Sequence, residues 1–319
     1  MLEFVWNLFK LSVSSYIVFR LLKFSTVLLK SFLVHFVTPV YSLDHLKDGW
    51  TVVTGGTDGI GKAYTEELAR SRGIRRFYLL GRNEKKLQKT AEELRKKYDA
   101  EVKIHVFDFE STSYENLPSD LSQENVSILI NCAGIAPEQV GNLVEQPEGL
   151  ASKILRVNLM SSVKMIELIL PGMIKRNKGC VVNVSSMTGW RPLPYISSYP
   201  ASKAAISFFS DALSDEFRSS NVKIQCLVPM LVATKVASYE VAEANDIFVV
   251  TPESFARQAV AAIGRWEILT GCVQHDIQIA FGSLLSFWLF KQLFVPFVML
   301  GIHKQRVADF QKNIRNKDQ

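Results

Sequence analysis

The 319-residue chain has only four cysteines, Cys132, Cys180, Cys226 and Cys272, far apart and in no metal or redox motif. Their spacing excludes a disulfide scaffold and a cysteine-built metal centre, and it predicts buried free thiols in a reducing compartment. No basic run carries interleaved aromatic residues, so nucleic acid is not an expected partner, and the net charge of +6 is mild. Internal repeats and low-complexity segments are absent. Long charge-free apolar runs are scarce as well. Residues 1–40 are rich in Phe, Leu and Val, yet Lys10, Arg20, Lys23 and Lys30 break the stretches of about 18 residues that a clean spanning helix needs. These cations fall broadly on one side of a helical wheel. Leu11 to Phe19 is a short apolar core of the kind signal peptides have, without a cleavage site after it. Residues 1–47 are therefore expected to form an uncleaved membrane anchor, lying in the interface or spanning with its cations at the headgroups. A helix packed on the body is the alternative.

From Trp50 onward the chain has a regular rhythm. Trp50 to Thr54 reads as a buried strand, Gly55-Gly56-Thr57-Asp58-Gly59-Ile60-Gly61 as a turn, and Lys62 to Arg72 as a helix. Glycines between a strand and a helix let the backbone approach a pyrophosphate, and the helix N-terminus offers free N–H groups to the anion. Arg76 to Leu80 is a second strand, ending at Gly81-Arg82. An acid near that point favours the ribose hydroxyls of NAD; Arg82, with Lys85 and Lys86 close by, suits a 2′-phosphate and favours NADP(H). Asn83 to Tyr98 reads as a helix, and Val102 to Phe107 as a strand ending in Asp108, placed to reach an adenine or to cap a following helix. Val126 to Ile130 runs into Asn131-Cys132-Ala133-Gly134, whose small residues leave room for a ribose. Leu150 to Ile174 reads as one long helix with Asn158 in its apolar pattern, an amide that needs a partner: a backbone group, or a water relaying protons to Lys203.

Gly179 to Val184 and Val222 to Val228 complete six strands, and between them lies the densest chemistry. Tyr199 and Lys203 are four apart, on one face of a helix. An ammonium beside a phenol is expected to lower its pKa from about 10, and Ser186 is placed to hold a substrate oxygen beside it. Such a set donates a proton to a carbonyl as it is reduced, or removes one from an alcohol. The whole predicts an α/β fold with a doubly wound parallel sheet over residues 48–275, with Thr54, Asp108, Asn131 and Ser186 at strand ends around one crevice. Residues 276–319 depart from the pattern: an apolar stretch interrupted by Lys291, expected as a re-entrant or interfacial hairpin, with a lid over the cleft or a subunit interface as alternatives, and then a polar tail.

With Thr54-Gly55, Gly59-Ile60-Gly61, Asn131-Cys132-Ala133-Gly134, Ser186 and Tyr199-x-x-x-Lys203, the chain resembles the short-chain dehydrogenase/reductase family. Gly56 to Lys62, Leu170-Pro171-Gly172-Met173 and residues 228–235 bring it nearest to the membrane-bound group that holds 17-beta-hydroxysteroid dehydrogenases types 3 and 12, the latter also very-long-chain 3-oxoacyl-CoA reductase, and the hydroxysteroid dehydrogenase-like proteins. The resemblance implies a Rossmann fold and NADP(H) bound by Gly55, Thr57, Asp58, Gly59, Ile60, Gly61, Arg82, Asp108, Asn131, Tyr199, Lys203 and Thr234. It implies catalysis by Asn158, Ser186, Tyr199 and Lys203, with Ser186 on the substrate and no metal. A hydrophobic keto lipid as substrate, a homodimer, and an endoplasmic reticulum membrane location with the catalytic domain toward the cytosol are further implications. A cofactor-binding but catalytically silent member is the rival reading. Cys132 stands where the family turn has asparagine, and Met230 where many members have glycine or tyrosine.

Overall fold

The computed structural model describes residues 1–317; Asp318 and Gln319, the end of the expected polar tail, lie outside the described residues. Seven parallel strands form one sheet: β1 (Trp50–Thr54), β2 (Arg76–Gly81), β3 (Glu101–Val106), β4 (Val126–Asn131), β5 (Gly179–Val184), β6 (Val222–Leu227) and β7 (Ile268–Leu269), in the order β3-β2-β1-β4-β5-β6-β7. Six match the apolar runs of the sequence. The two-residue β7 is too short to leave such a signature. In the parallel sheet β1, β4 and β5 are buried along their full length, which is why they read as continuous Val/Ile runs.

The crossovers place helices on both faces. On one lie α2 (Gly59–Arg72), α3 (Glu84–Tyr98) and α7 (Pro252–Ala261), whose Tyr64, Leu68, Leu87, Phe255 and Val260 pack on Val53, Phe77 and Leu79. On the other, α5 (Ser161–Arg176), which follows the short α4 (Leu150–Leu155), and α6 (Ser198–Glu216) press Met165, Ile169, Met173 and Leu213 onto Val52, Leu129 and Val181. Each fully buried side chain of this size contributes about 2 kcal/mol of burial free energy. The expected single helix over 150–174 is broken: residues 156–160 form one π-helical turn between α4 and α5. All four thiols are free, three of them buried.

The two ends are built differently. In α1 (Leu2–Phe32) the first nineteen residues are exposed on every side, with Leu, Phe, Val, Ile and Trp facing outward all round. From residue 20 onward the helix lies on α8 (Val273–Ser283). Two of the four cations expected at headgroups face the body instead: Arg20 donates to the Ser283 carbonyl at 3.2 Å and Lys30 to the Ile268 carbonyl at 3.1 Å. Residues 41–46 pack as well, with Leu43 and Leu46 buried in the core. The C-terminal part runs through α9 (Phe287–Leu293), a π-helical stretch over Phe294–His303, and α10 (Lys304–Lys317). It bends by 102° from α8 and lays Met299 and Val307 on Val140, Leu193 and Ile196, while Arg306 pairs with Glu243 at 2.7 Å. These partners sit on the loops after β4, β5 and β6. The segment therefore covers the carboxyl-end loops, as the lid alternative had it, and keeps Trp288, Leu293, Phe297 and Ile302 exposed on its outer side. The one helical stretch among the described residues that is long and apolar enough to cross a membrane unbroken is Leu150–Arg176, a half-buried helix of the fold.

Candidate active site

In a sheet of this order the crossovers diverge between β1 and β4, and a crevice opens beyond their carboxyl ends. The two loops that flank it touch. Gly55 has φ +69°, and a Cβ there would meet the Ala133 backbone and the Cys132 carbonyl at 2.9 Å. Thr54 Oγ1 accepts from the N–H groups of Cys132 and Ala133 at 3.1 and 3.2 Å, pinning the turn after β4 onto β1. A Cβ on Gly61 would lie 2.3 Å from the Gly55 carbonyl oxygen, and one on Gly59 (φ +50°) would lie 2.9 Å from the Thr234 methyl. Only glycine lets α2 start this close to the loop. Asp58 caps the helix, accepting from Gly59 N–H at 2.9 Å, so the remaining first-turn amides face the crevice. Thr57 and Ile60 complete the cradle. Burial opposes ionisation of Asp58, but the Lys86 and Lys235 ammonium groups, 3.4 and 3.6 Å away, outweigh it and hold the carboxyl below the usual range.

Arg82 stands exposed at the end of β2 and is paired with Glu110, which Lys153 also contacts at 2.8 Å. Asp108 accepts from Glu110 N–H at 2.9 Å; its side chain closes a turn, and no helix comes directly after it to be capped. Asn131 donates to Asn183 Oδ1 at 2.8 Å across the sheet, and Asn183 donates to Ser210 at 2.8 Å. That amide ladder ties β4 and β5 to α6, while Asn131 Oδ1 is buried without a hydrogen bond.

Across the crevice, Ser186, Tyr199, Lys203 and Asn158 converge. Ser186 caps a short turn after β5; its Oγ accepts from Thr188 N–H at 3.2 Å and from Thr188 Oγ1 at 3.0 Å. With both lone pairs taken, its own proton is left free to donate, and the Ser186 side chain favours ionisation of the Tyr199 phenol. Lys203 is 5% exposed, donates to the Val184 carbonyl at 2.8 Å, and has its Nζ 5.8 Å from the Tyr199 ring centroid. Asn158 lies in the π-helical turn, a distortion frequent at functional sites. Its Oδ1 accepts from Ile135 N–H at 2.8 Å, and its Nδ2 donates to the Ile135 carbonyl at 2.9 Å and Ser202 Oγ at 3.1 Å. Of the two roles open to it, the backbone-satisfying one is therefore seen. A Cβ on Gly134 would lie 3.6 Å from both Asn158 Oδ1 and Lys203 Nζ, so this glycine sits where the two side chains meet.

The electrostatics differ from expectation in one respect. Lys203 does not pull the Tyr199 phenol down in the free protein. Desolvation pushes it up to about 12, with the Ser186 bond opposing, and burial also lowers the Lys203 ammonium. The ammonium donates to the Val184 carbonyl, with its Nζ 5.8 Å from the phenol ring centroid. Tyr199 therefore carries its proton at neutral pH, the state of an acid ready to donate. Burial likewise raises the Cys132 thiol to about 11, which keeps it inert.

Two residues that the sequence did not single out belong here. Thr188 had a faint signal, a hydroxyl two positions after Ser186. His275 had none, because its partners are backbone groups of Met230 and Leu231, remote in sequence. Burial lowers His275 to about 4 from the ordinary 6.5. A depressed histidine binds its proton better in the unfolded chain, so its stabilising share is whole above pH 6.5 and lost as pH falls toward 4. At pH 5 the loss is about 2 kcal/mol, or ~5 °C of Tm. Calorimetry from pH 7 to 5 checks this, and a His275→Asn variant is expected to lack that part of the slope.

The family profile of the short chain dehydrogenases matches residues 49–245. Mouse very-long-chain 3-oxoacyl-CoA reductase is 32% identical over 271 residues, covering 84% of this chain and 81% of that one. An uncharacterized oxidoreductase of Caenorhabditis elegans, dhs-27, is 59% identical over 187 residues; the match takes in 59% of this chain and 23% of that protein's length. Among solved structures, a short-chain dehydrogenase from Sphingobium yanoikuyae in complex with NADPH superposes with a TM-score of 0.60 at 26% identity, covering 70% of this chain and 87% of that one. The glycine cradle, the switch-point crevice and the Ser186–Tyr199–Lys203 group thus meet in one chain with these relatives, and the chain belongs to the short-chain dehydrogenase family.

Proposed function

We propose that the protein is an NADP(H)-dependent reductase that converts the keto group of a hydrophobic lipid to a hydroxyl, with a long-chain 3-oxoacyl-CoA as the first candidate and an oxosteroid as the second. The observation that carries this is geometric: the buried Lys203 and Asn158, on the Tyr199 side of the crevice, meet at Gly134, in the turn that Thr54 pins beside the glycine cradle. The residues fit the cofactor: Gly55, Gly59 and Gly61 let the loop and the start of α2 close up where a Cβ would strike Ala133, Thr234 or the Gly55 carbonyl, and Lys86 and Lys235 stand at Asp58 in that loop. When bound in this cradle, NADPH would supply the hydride that the carbonyl carbon needs. Ser186 holds the carbonyl oxygen with the proton that Thr188 leaves free, and Tyr199 gives its own proton to that oxygen as charge develops there. Hydride and proton together make the alcohol. Lys203, with N–H groups remaining beyond its bond to Val184, is placed to bond a ribose hydroxyl and to recharge the phenol, and Asn158 holds the Ile135 loop beside it. Asp108 and Asn131 are assigned to the adenosine and ribose ends, and Thr234 to the nicotinamide side.

Similarity to the mouse reductase supports the acyl-CoA over the steroid. NADPH oxidation by detergent-purified protein, offered each substrate separately, tests the assignment; NADPH binding without turnover of either favours the silent-member reading. Arg82→Ala is expected to weaken NADPH binding by about ten-fold or more, since a charge-assisted phosphate contact is lost, and to leave NADH binding nearly unchanged. Equal losses for both cofactors count against the 2′-phosphate role.

The exposed apolar length of α1 and the outer face of residues 288–302 support membrane attachment; the endoplasmic reticulum, with the sheet domain toward the cytosol, is the location the family resemblance implies. A helix apolar on all sides is stable in lipid or protein interiors, not in water. Deleting residues 1–19, all of them exposed, is expected to shift the protein markedly from the detergent phase to the aqueous phase. An unchanged partition would place the attachment elsewhere.

A further inference from the structure

The segment after β6 crosses the mouth of the crevice from the catalytic serine to the glycine cradle. At its start, the Pro229 carbonyl accepts from Met187 N–H at 2.9 Å, one residue from Ser186. At its end, Thr234 lies against Gly59, and Lys235 reaches Asp58. Between these points the segment has no helix or strand of its own. A single bridge pairs Val232 with Val250, and Val250 N–H donates to the Leu231 carbonyl at 3.1 Å. Ala233 N–H also donates to the Val250 carbonyl at 2.9 Å, and a side chain bonds the part before this bridge. His275, on α8 and wholly buried, accepts at Nδ1 from Met230 N–H at 3.3 Å, and its Nε2 faces the Leu231 carbonyl at 3.3 Å. Accepting at one nitrogen makes the other the donor. A ring that accepts from one residue and donates to the next fixes both the height and the tilt of the peptide between them. Phe255 packs against the ring at 5.8 Å between centroids.

The helix that carries His275 is fixed in turn by α1 and its continuation. The next residue, Asp276, accepts from Ser31 Oγ at 2.7 Å and lies 3.1 Å from His35 Nε2, and its other oxygen accepts from Thr270 at 2.7 Å.

We propose that His275 is a positioning residue for the reduction: it sets the crossing segment so that Ser186 and the glycine cradle stay in register, and the anchor helix, through Asp276, holds the helix that presents it. The anchor is then a support of the active site as well as a tether. The proposal rests on the reading of the crevice as an NADP(H) site, but its first test needs no cofactor.

His275→Leu fills the space and can neither accept nor donate; His275→Asn keeps an acceptor and a donor on one planar group. In the detergent-purified full chain, amide exchange of the 229–235 peptide is expected to be about ten-fold faster in the Leu variant, and near wild type in the Asn variant. NADPH Kd and KM are expected to rise by a similar factor in the Leu variant alone, with kcat less affected. Wild-type exchange and Kd in the Leu variant overturn the proposal, as does an Asn variant that behaves like Leu. Should the Leu variant not fold, Ser31→Ala/His35→Ala carries the test: faster exchange at 229–235 supports the support chain, and unchanged exchange overturns it. If the wild type itself fails to bind NADPH, the cofactor reading falls while the exchange comparison still decides the role of His275.

Discussion

Tyr199→Phe is expected to lower kcat by about 10³-fold or more while NADPH binds within two-fold or so of wild type. The phenol holds its proton at neutral pH, and the Ser186 side chain favours its ionisation. Removing only the hydroxyl oxygen keeps the ring, and so keeps α6 and the crevice wall in place. The buried Lys203, already bonded to Val184, retains its own partner in the variant. Loss of turnover with cofactor binding intact, read by NADPH oxidation beside fluorescence titration, is the expected pair of results. Full activity in the Phe variant sinks the acid assignment. The raised phenol pKa adds a directional expectation: reduction should persist at neutral pH, because Tyr199 is protonated there, and oxidation of the product alcohol should gain as pH rises toward the phenol's pKa of about 12.

Gly61→Ala is expected to act on binding instead. The added Cβ would stand 2.3 Å from the Gly55 carbonyl oxygen and 2.9 Å from its carbon. Both are backbone atoms that no rotamer change can move. Either α2 shifts outward or the loop does, and each displaces the amides that would receive the pyrophosphate. A displacement of about 1 Å at such a contact costs roughly 100-fold. The NADPH Kd should rise by that order, with a lower Tm, while kcat at saturating cofactor changes less. A variant that binds NADPH as tightly as wild type would remove the glycine loop from the cofactor site. Together the two substitutions separate the chemistry on one side of the crevice from the cradle on the other.

Six of the seven strands were legible because a parallel strand buried on both faces must be apolar along its length, and such runs stand out between charged helices. The glycine loop was legible for a similar reason: the backbone conformations at Gly55 and Gly59 and the close approach at Gly61 leave room for no other residue. The helix over 150–174 showed its apolar period but not its break at Asn158, since a π turn adds one residue without changing the composition. The cations of the first forty residues were visible, but their partners were not. Arg20 and Lys30 bond carbonyls more than 200 positions away, and only the packing of α1 on α8 reveals it.

The residue pattern alone determined the doubly wound sheet and singled out the crevice at its switch point and the four side chains proposed for the chemistry, because each arises from local rules: burial period, backbone conformation, and spacing along a helix. The tertiary structure alone decided how those groups are tuned. Tyr199 and Lys203 are four apart in sequence, and spacing predicts a lowered phenol pKa; desolvation reverses that sign. Thr188, Glu110 and His275 owe their roles to partners that no periodicity announces. Local pattern sets which groups are present. The field, the desolvation and the distant backbone partners that act on each group come only from the assembled fold, where residues far apart in the chain share one dielectric environment.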